Sequence, residues 1–416
     1  MANPPPFWPV VLEDPFEVVS YLGHGRSSVE KVVRKGNEVA TYARKRFARP
    51  GSDDELKQIR NEVDIIKKLQ QAHIVEFVDC YSCHGLIYLL LLPVADETLR
   101  DFFQRTEPEN LPYEAKLDAS RTMVRWAACL FYALDYLHHQ GIRHKDIKPE
   151  NILAKGDRVY LTDFGLSRDS ADLSTSGTNG PAQGTQTYYA PELAQERPRG
   201  TPADVWALGC VLLEICTVAS GTTRQVFADH RRGNQTRTSA TAYFECTPSV
   251  LFDWIWLLLL GEYIEDTQIR VLVRKLVLLA FLMLDPDPGQ RITACQLVNL
   301  SRTKEYPDFR DIGDLACAEC RTGGCSEDAP THSIFDTIII AYVENNGKLK
   351  KPKTTSETPQ VWEEIKQEWL EKHMWWDYEG SDIGEEPSIS EESDINEDWD
   401  SSEWVDLGSE LDELDD

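Results

Sequence analysis

His144-Lys145-Asp146-Ile147-Lys148-Pro149-Glu150-Asn151 is followed, twelve residues after Asn151, by Asp163-Phe164-Gly165. Phosphoryl transfer asks little covalent chemistry of a protein. It asks for a carboxylate that accepts the proton of the attacking hydroxyl, a cation on the transferred group, and ligands for a metal. Asp146 suits the first role and Lys148 the second. Asn151 and Asp163 suit the third, because magnesium prefers hard oxygen donors. An ordinary polar turn is already a poor reading of either motif alone. For both in this order it is negligible.

These motifs resemble those of the eukaryotic protein kinase family, and the resemblance runs from about Phe16 to Leu300. Ala190-Pro191-Glu192 resembles the motif that closes the activation segment. Asp204-Val205-Trp206-Ala207-Leu208-Gly209 resembles the start of the central large-lobe helix, where the Asp is expected to brace the catalytic loop. Arg291, after Leu284-Asp285-Pro286, stands where the family places a structural partner for Glu192.

The nucleotide site implied by the resemblance lies earlier in the chain. Gly23-His24-Gly25-Arg26-Ser27-Ser28 resembles the loop that covers the phosphates, where glycines let backbone amides come close. Lys45 matches the lysine of the alpha and beta phosphates, and Glu62 is its expected partner. By alignment Leu91 is the gatekeeper and Leu92 to Val94 the hinge. Pro93 has no N–H, but it takes the hinge position whose amide is not needed. Val29, Ala43, Leu92, Val94 and Leu153 are expected around the adenine, and Asp96 at the ribose. Lys148, two residues after Asp146, and Thr185, expected to bridge Asp146 and Lys148, imply a serine/threonine enzyme. The implied cofactors are ATP and Mg2+ and the implied partner a protein substrate.

Two departures from the family stand out. Ser28 replaces the third glycine, and Val29 comes one residue early, so the loop reads as short. A pseudokinase or nucleotide-binding scaffold acting through its tail would share these features. The intact Lys45, Glu62, Asp146, Asn151 and Asp163 favour catalysis. Ser174, Thr175, Ser176 and Thr178 are candidate phosphorylation sites. Lys145 would meet such a phosphate only as a point charge, without the fork of an arginine, so weak dependence on loop phosphorylation is expected.

Residue patterning supports the same architecture. Phe16 to Leu22, Val29 to Val33, Val39 to Phe47 and Ile87 to Leu92 read as strands. Ser52 and Glu55 fit a capping box, and Leu56, Ile59, Val63 and Ile66 form a helical stripe that Glu62 borders. Later helices are expected up to His138, over Ala203 to Thr217 and over Val271 to Leu284. Strands first and helices later predict an α+β, two-lobed fold with a small antiparallel-sheet N-lobe bearing one helix and a larger, mainly helical C-lobe. The expected boundaries are a Pro-rich leader 1–15, an N-lobe 16–92 and C-lobe 96–300, an extension 301–376 and an acidic tail 377–416. Ser220 to Pro248 lacks periodicity and reads as a surface insertion.

Composition limits the alternatives. The net charge is -27 over 416 residues. Eighteen of the 70 acidic residues fall between Asp377 and Asp416, where there is no Lys or Arg, leaving 52 acidic against 43 basic side chains elsewhere. Such a chain lacks the basic surface that nucleic acid requires. No apolar run such as Leu276 to Leu284 approaches a membrane span, so no membrane partner is expected. Ten cysteines without a disulfide rhythm fit a reducing compartment and a cytoplasmic location. Lys348-Leu349-Lys350-Lys351-Pro352-Lys353 adds a nuclear alternative. Cys317, Cys320 and Cys325, with His332, suggest a metal site, but their spacing does not match a standard zinc motif, so unrelated free thiols are preferred to zinc as the reading. Thr358-Pro359 opens an expected helix with Trp362, Ile365 and Trp369 on one face. The tail cannot bury enough surface to fold alone. It reads equally as a docking or autoinhibitory segment and as a solubilising one.

Overall fold

A computed structural model describes residues 7–24, 28–107, 111–169, 186–194, 200–232, 248–260, 266–302 and 309–322. The chain divides into two compact units, 1–336 and 337–416, and the second lies outside the described residues. So do Gly25, Thr185, the four candidate phosphorylation sites, Cys325, His332, the basic run and the acidic tail.

The first lobe is built on strands β1 (Val10–Val11), β2 (Phe16–His24), β3 (Ser28–Arg34), β4 (Asn37–Phe47), β5 (Glu76–Cys83) and β6 (Leu86–Leu92), with helix α1 (Asp53–Lys68) between β4 and β5. They form one sheet in the order β1-β5-β6-β4-β3-β2. Every pair is antiparallel except β1 with β5. The leader expected up to Pro15 is therefore tied to the lobe from residue 7. Trp8 is buried, β1 extends the sheet, and Asp14 reaches Arg44 at 2.6 Å.

Strand β5 has no clear signal in the sequence. A register shift between Phe77 and Asp79 breaks its alternation, and a bulge hides the period-2 pattern by which strands are read. Helix α1 starts at Ser52, whose hydroxyl accepts the amide of Glu55. The return bond of the expected capping box goes one residue further back, from the Gly51 amide to the Glu55 carboxylate.

The second lobe holds β7 (Glu97–Thr98), α2 (Leu99–Arg105), α3 (Tyr113–His139), β8 (Ile142–Arg143), β9 (Ile152–Lys155), β10 (Arg158–Leu161), β11 (Arg168–Asp169), α4 (Pro191–Ala194), α5 (Pro202–Ala219), α6 (Arg224–Arg232), α7 (Pro248–Leu260), α8 (Thr267–Met283) and α9 (Ala294–Leu300). Helix α5 is its axis. By length and hydropathy α5 passes for a membrane span, but it is 89% buried inside the protein. Gly209 lets α8 approach α5: a Cβ there would stand 2.9 Å from the Met283 Cβ.

Two sequence readings change here. Part of the expected surface insertion is helix α6, whose Phe227 is fully buried and stacks on Trp254 at 4.9 Å; residues 233–247 lie outside the described set. Helix α7 shows no amphipathic period because it is buried on nearly all sides, and a helix apolar all round has no stripe to read. Beyond residue 300, α10 (Arg310–Leu315) and α11 (Ala318–Arg321) continue the lobe. Phe309, Ile312 and Cys320 are buried, so part of the extension expected from 301, residues 309–320, is packed. Gly313 permits this, since a Cβ there would fall 2.2 Å from the Ser301 carbonyl oxygen.

Candidate active site

Three adjacent cations, Arg44, Lys45 and Arg46, lie on β4. Strand alternation separates them. Arg44 turns to the closed face, where Glu30, Asp14 and the Tyr81 hydroxyl hold its guanidinium. Lys45 faces the opposite way. Its Nζ lies 2.6 Å from Glu62 Oε1 on α1 and 2.7 Å from Asp163 Oδ1. Burial disfavours the ammonium, but Glu62 and Asp163 outweigh it and raise the Lys45 pKa. Burial pushes the Glu62 carboxyl up more than Lys45 pulls it down. For Asp163, burial raises the pKa, but Lys45, His144 and the Gly165 amide together lower it.

The catalytic-loop residues converge on Asp146. Its Oδ2 accepts from Lys148 Nζ at 2.7 Å and from Asn151 Nδ2 at 2.9 Å. The same Asn151 nitrogen reaches the Asp146 carbonyl at 2.8 Å. The amide nitrogen of Asn151 is thus spent on Asp146, which leaves its oxygen as the donor for a cation. Lys145 and Asp163 take positive φ, 68° and 65°, the strained region that non-glycine residues occupy mainly where surroundings compel it. At Lys145 the compulsion is visible. Buried Asp204 accepts the amides of His144 and Lys145, both at 2.8 Å, and stands 3.2 Å from His138 Nε2. Burial raises the Asp204 pKa, yet these bonds hold it below the ordinary carboxylate value. After Asp163, the fully buried Phe164 packs 5.0 Å from the His144 ring. A Cβ on Gly165 would approach Glu62 Oε2 at 3.1 Å.

The cleft residues fall as the strand register dictates. Val29 pairs with Lys45 and Ala43 with the gatekeeper Leu91. Leu92 ends β6, Val94 is buried, and the Val94 carbonyl accepts from Lys155 Nζ at 2.6 Å. Leu153 lies on β9 opposite Tyr160. Asp96, expected at the ribose, spends Oδ2 on the Gly156 amide at 2.9 Å. In the phosphate-covering loop, Gly23 pairs with Val29 and His24 with Ser28. Only residues 25–27 then separate the paired ends, in keeping with a short loop.

Several positioning residues had no signal in the sequence. Asn61 donates to the Ser167 carbonyl at 2.8 Å, tying α1 to the segment after Gly165. Ser167 in turn donates to the His144 carbonyl at 3.0 Å, and His144 Nε2 meets the Thr162 carbonyl at 3.0 Å. These partners are up to 106 residues apart, and no spacing rule links them. Arg291 and Glu192, in contrast, meet as expected, in a bidentate pair at 2.7 and 3.0 Å that is almost wholly buried.

A family model of the protein kinase domain matches residues 16–301. The chain belongs to the protein kinase domain family. Among curated proteins it is similar to serine/threonine-protein kinase 36 of Mus musculus, 32% identical over 202 residues that cover 48% of this chain and 14% of that one. It is also similar to calcium/calmodulin-dependent protein kinase type 1 of Macrobrachium nipponense, at 31% over 208 residues, 48% of this chain and 56% of the other. Serine/threonine-protein kinase Nek3 of Oryza sativa subsp. japonica is 30% identical over 204 residues, 48% and 33% of the two chains. The chain thus spans less than two thirds of the length of each of these relatives.

Proposed function

We propose that this chain is a catalytically competent serine/threonine protein kinase that transfers the gamma-phosphate of ATP to protein hydroxyls. One observation carries the reading: Lys45 Nζ holds Glu62 and Asp163 together, at 2.6 and 2.7 Å, across three separate elements. This joins the phosphate-binding lysine to the helix and to the metal-ligand carboxylate in one arrangement, as phosphoryl transfer needs.

The donor set at Asn151 and Asp163 fits Mg2+, which takes hard oxygen ligands. When bound, that ion would neutralise charge on the phosphates. The chain's own residues do the rest. Asp146 orients the acceptor hydroxyl and takes its proton as the oxygen–phosphorus bond forms. Lys148, 2.7 Å from Asp146, offsets charge on the phosphoryl oxygens. The bond to the ADP oxygen breaks, and ADP leaves with the electron pair. The cleft beside Asp146 is walled by Tyr188, Tyr189 and Leu193 near the Ala190-Pro191-Glu192 motif. It offers a platform for a polypeptide, not a small alcohol. Lys148 and the relatives' descriptions favour Ser or Thr as acceptor.

Radiolabel transfer from ATP to a generic protein substrate tests the reading, with Asp146→Ala as control. Label on substrate with the unsubstituted chain alone is the expected result. Equal signal from both proteins sinks the proposal and favours the scaffold.

A further inference from the structure

Outside the catalytic residues, three segments bring four ligand atoms together. His73 follows α1, Cys129 lies in the middle of α3, and Cys317 and Cys320 flank and enter α11. Their ligand atoms all lie within 4.8 Å of one another. His73, Cys129 and Cys320 are buried, and Cys129, Cys317 and Cys320 are free thiols.

We propose that His73, Cys129, Cys317 and Cys320 form a closed, structural Zn2+ site that clamps the segment after residue 309 onto the kinase domain. A tetrahedral ion with Zn–S near 2.3 Å and Zn–N near 2.0 Å sets its ligand atoms roughly 3.5–3.8 Å apart. The cluster is already at that scale: His73 Nε2 stands 3.1 Å from Cys317 Sγ. Three thiolates and an imidazole select a soft or borderline cation over Mg2+ or Ca2+. Four protein ligands leave no open position, so the ion would be structural and not catalytic.

The surroundings are those of a metal site. His73 Nδ1 lies 2.7 Å from the Val159 carbonyl. That bond places the proton on Nδ1 and turns the Nε2 lone pair toward the sulfurs, the outer-shell arrangement of a ligating histidine. The Leu161 amide donates to the His73 carbonyl at 2.8 Å, so the backbone fixes the ring as well. Amides aim at the sulfurs: the Cys317 N–H reaches Cys129 Sγ at 3.5 Å and Gln71 Nε2 lies 3.8 Å from Cys320 Sγ.

Only two of the four ligands, Cys317 and Cys320, belonged to the cysteine cluster visible in the sequence. The other two come from the kinase domain, 188 and 244 residues from Cys317. The Arg158–Glu319 and Lys275–Asp311 ion pairs secure the same extension beside the site.

The test uses the full chain, purified without a metal-binding tag or chelator, and reads metal content by mass spectrometry. About one zinc per chain is expected. Cys317→Ser and Cys320→Ser should bring it near zero, while Cys83→Ser, on β5 of the sheet, keeps it. Because a buried substitution can prevent folding, the unsubstituted chain is also loaded with Co2+. It should show the intense visible bands of tetrahedral cobalt and a thiolate-to-cobalt charge-transfer band, both displaced by zinc. No zinc and no cobalt bands in the unsubstituted chain would overturn the proposal. So would a full zinc complement in Cys317→Ser and Cys320→Ser together.

Discussion

Replacing Arg291 with Met should cost this domain a large part of its stability. Arg291 and Glu192 have side chains 0% and 2% exposed. Two parallel bonds join them at 2.7 and 3.0 Å. The guanidinium also donates to the carbonyls of Asp285 and Pro202, both at 2.8 Å, and lies 5.1 Å from the Trp206 ring centroid. Methionine fills much of the volume but leaves Glu192 as an uncompensated buried charge. Breaking such a pair from one side costs about 3–5 kcal/mol, against a total stability on the order of 5–15 kcal/mol. The two orphaned carbonyls add to that. Urea unfolding at neutral pH measures the loss through the transition midpoint. The double substitution Arg291→Met with Glu192→Leu removes the stranded charge. It should be more stable than Arg291→Met alone by about 3–5 kcal/mol, because a buried pair exchanged whole for apolar residues is close to neutral. A loss under about 1 kcal/mol for Arg291→Met, or strictly additive effects in the double variant, would refute the reasoning.

Three further outcomes follow from the geometry. Lys45→Met should lower phosphate transfer by about 10²-fold or more, the scale of losing one preorganised charge; undiminished transfer in the radiolabel assay would count against the site. Asp204 has a lowered pKa in the folded state, so its contribution to stability is present above the ordinary carboxylate range, near pH 4, and is lost as pH falls through the folded value. Asp204→Asn should flatten that acid limb in urea midpoints measured against pH, and an unaltered limb would place the acid sensitivity elsewhere. Gly209→Ala puts a Cβ 2.9 Å from the Met283 Cβ and should cost about 1–3 kcal/mol by overpacking, read as a drop in the thermal midpoint.

The sequence by itself determined what neighbours in the chain decide. Strand alternation, the α1 stripe with Glu62 at its edge, and the close spacing of Asp146, Lys148 and Asn151 are all legible because periodicity and short separations carry them. Tertiary structure alone decided the rest. Residue pattern alone cannot say which of three adjacent cations on β4 enters the cleft, and only the family resemblance pointed to Lys45; the structure supplies the reason, since the buried Glu30 and half-buried Asp14 carboxylates claim Arg44 and leave Lys45 to Glu62 and Asp163. Helix α7 was hidden because burial on nearly all sides erases its period, and β5 because a bulge breaks its alternation. The His73, Cys129, Cys317 and Cys320 cluster was invisible for a third reason. Its ligands lie on segments that meet only after the chain has folded, and a spacing rule sees only those that are close in sequence.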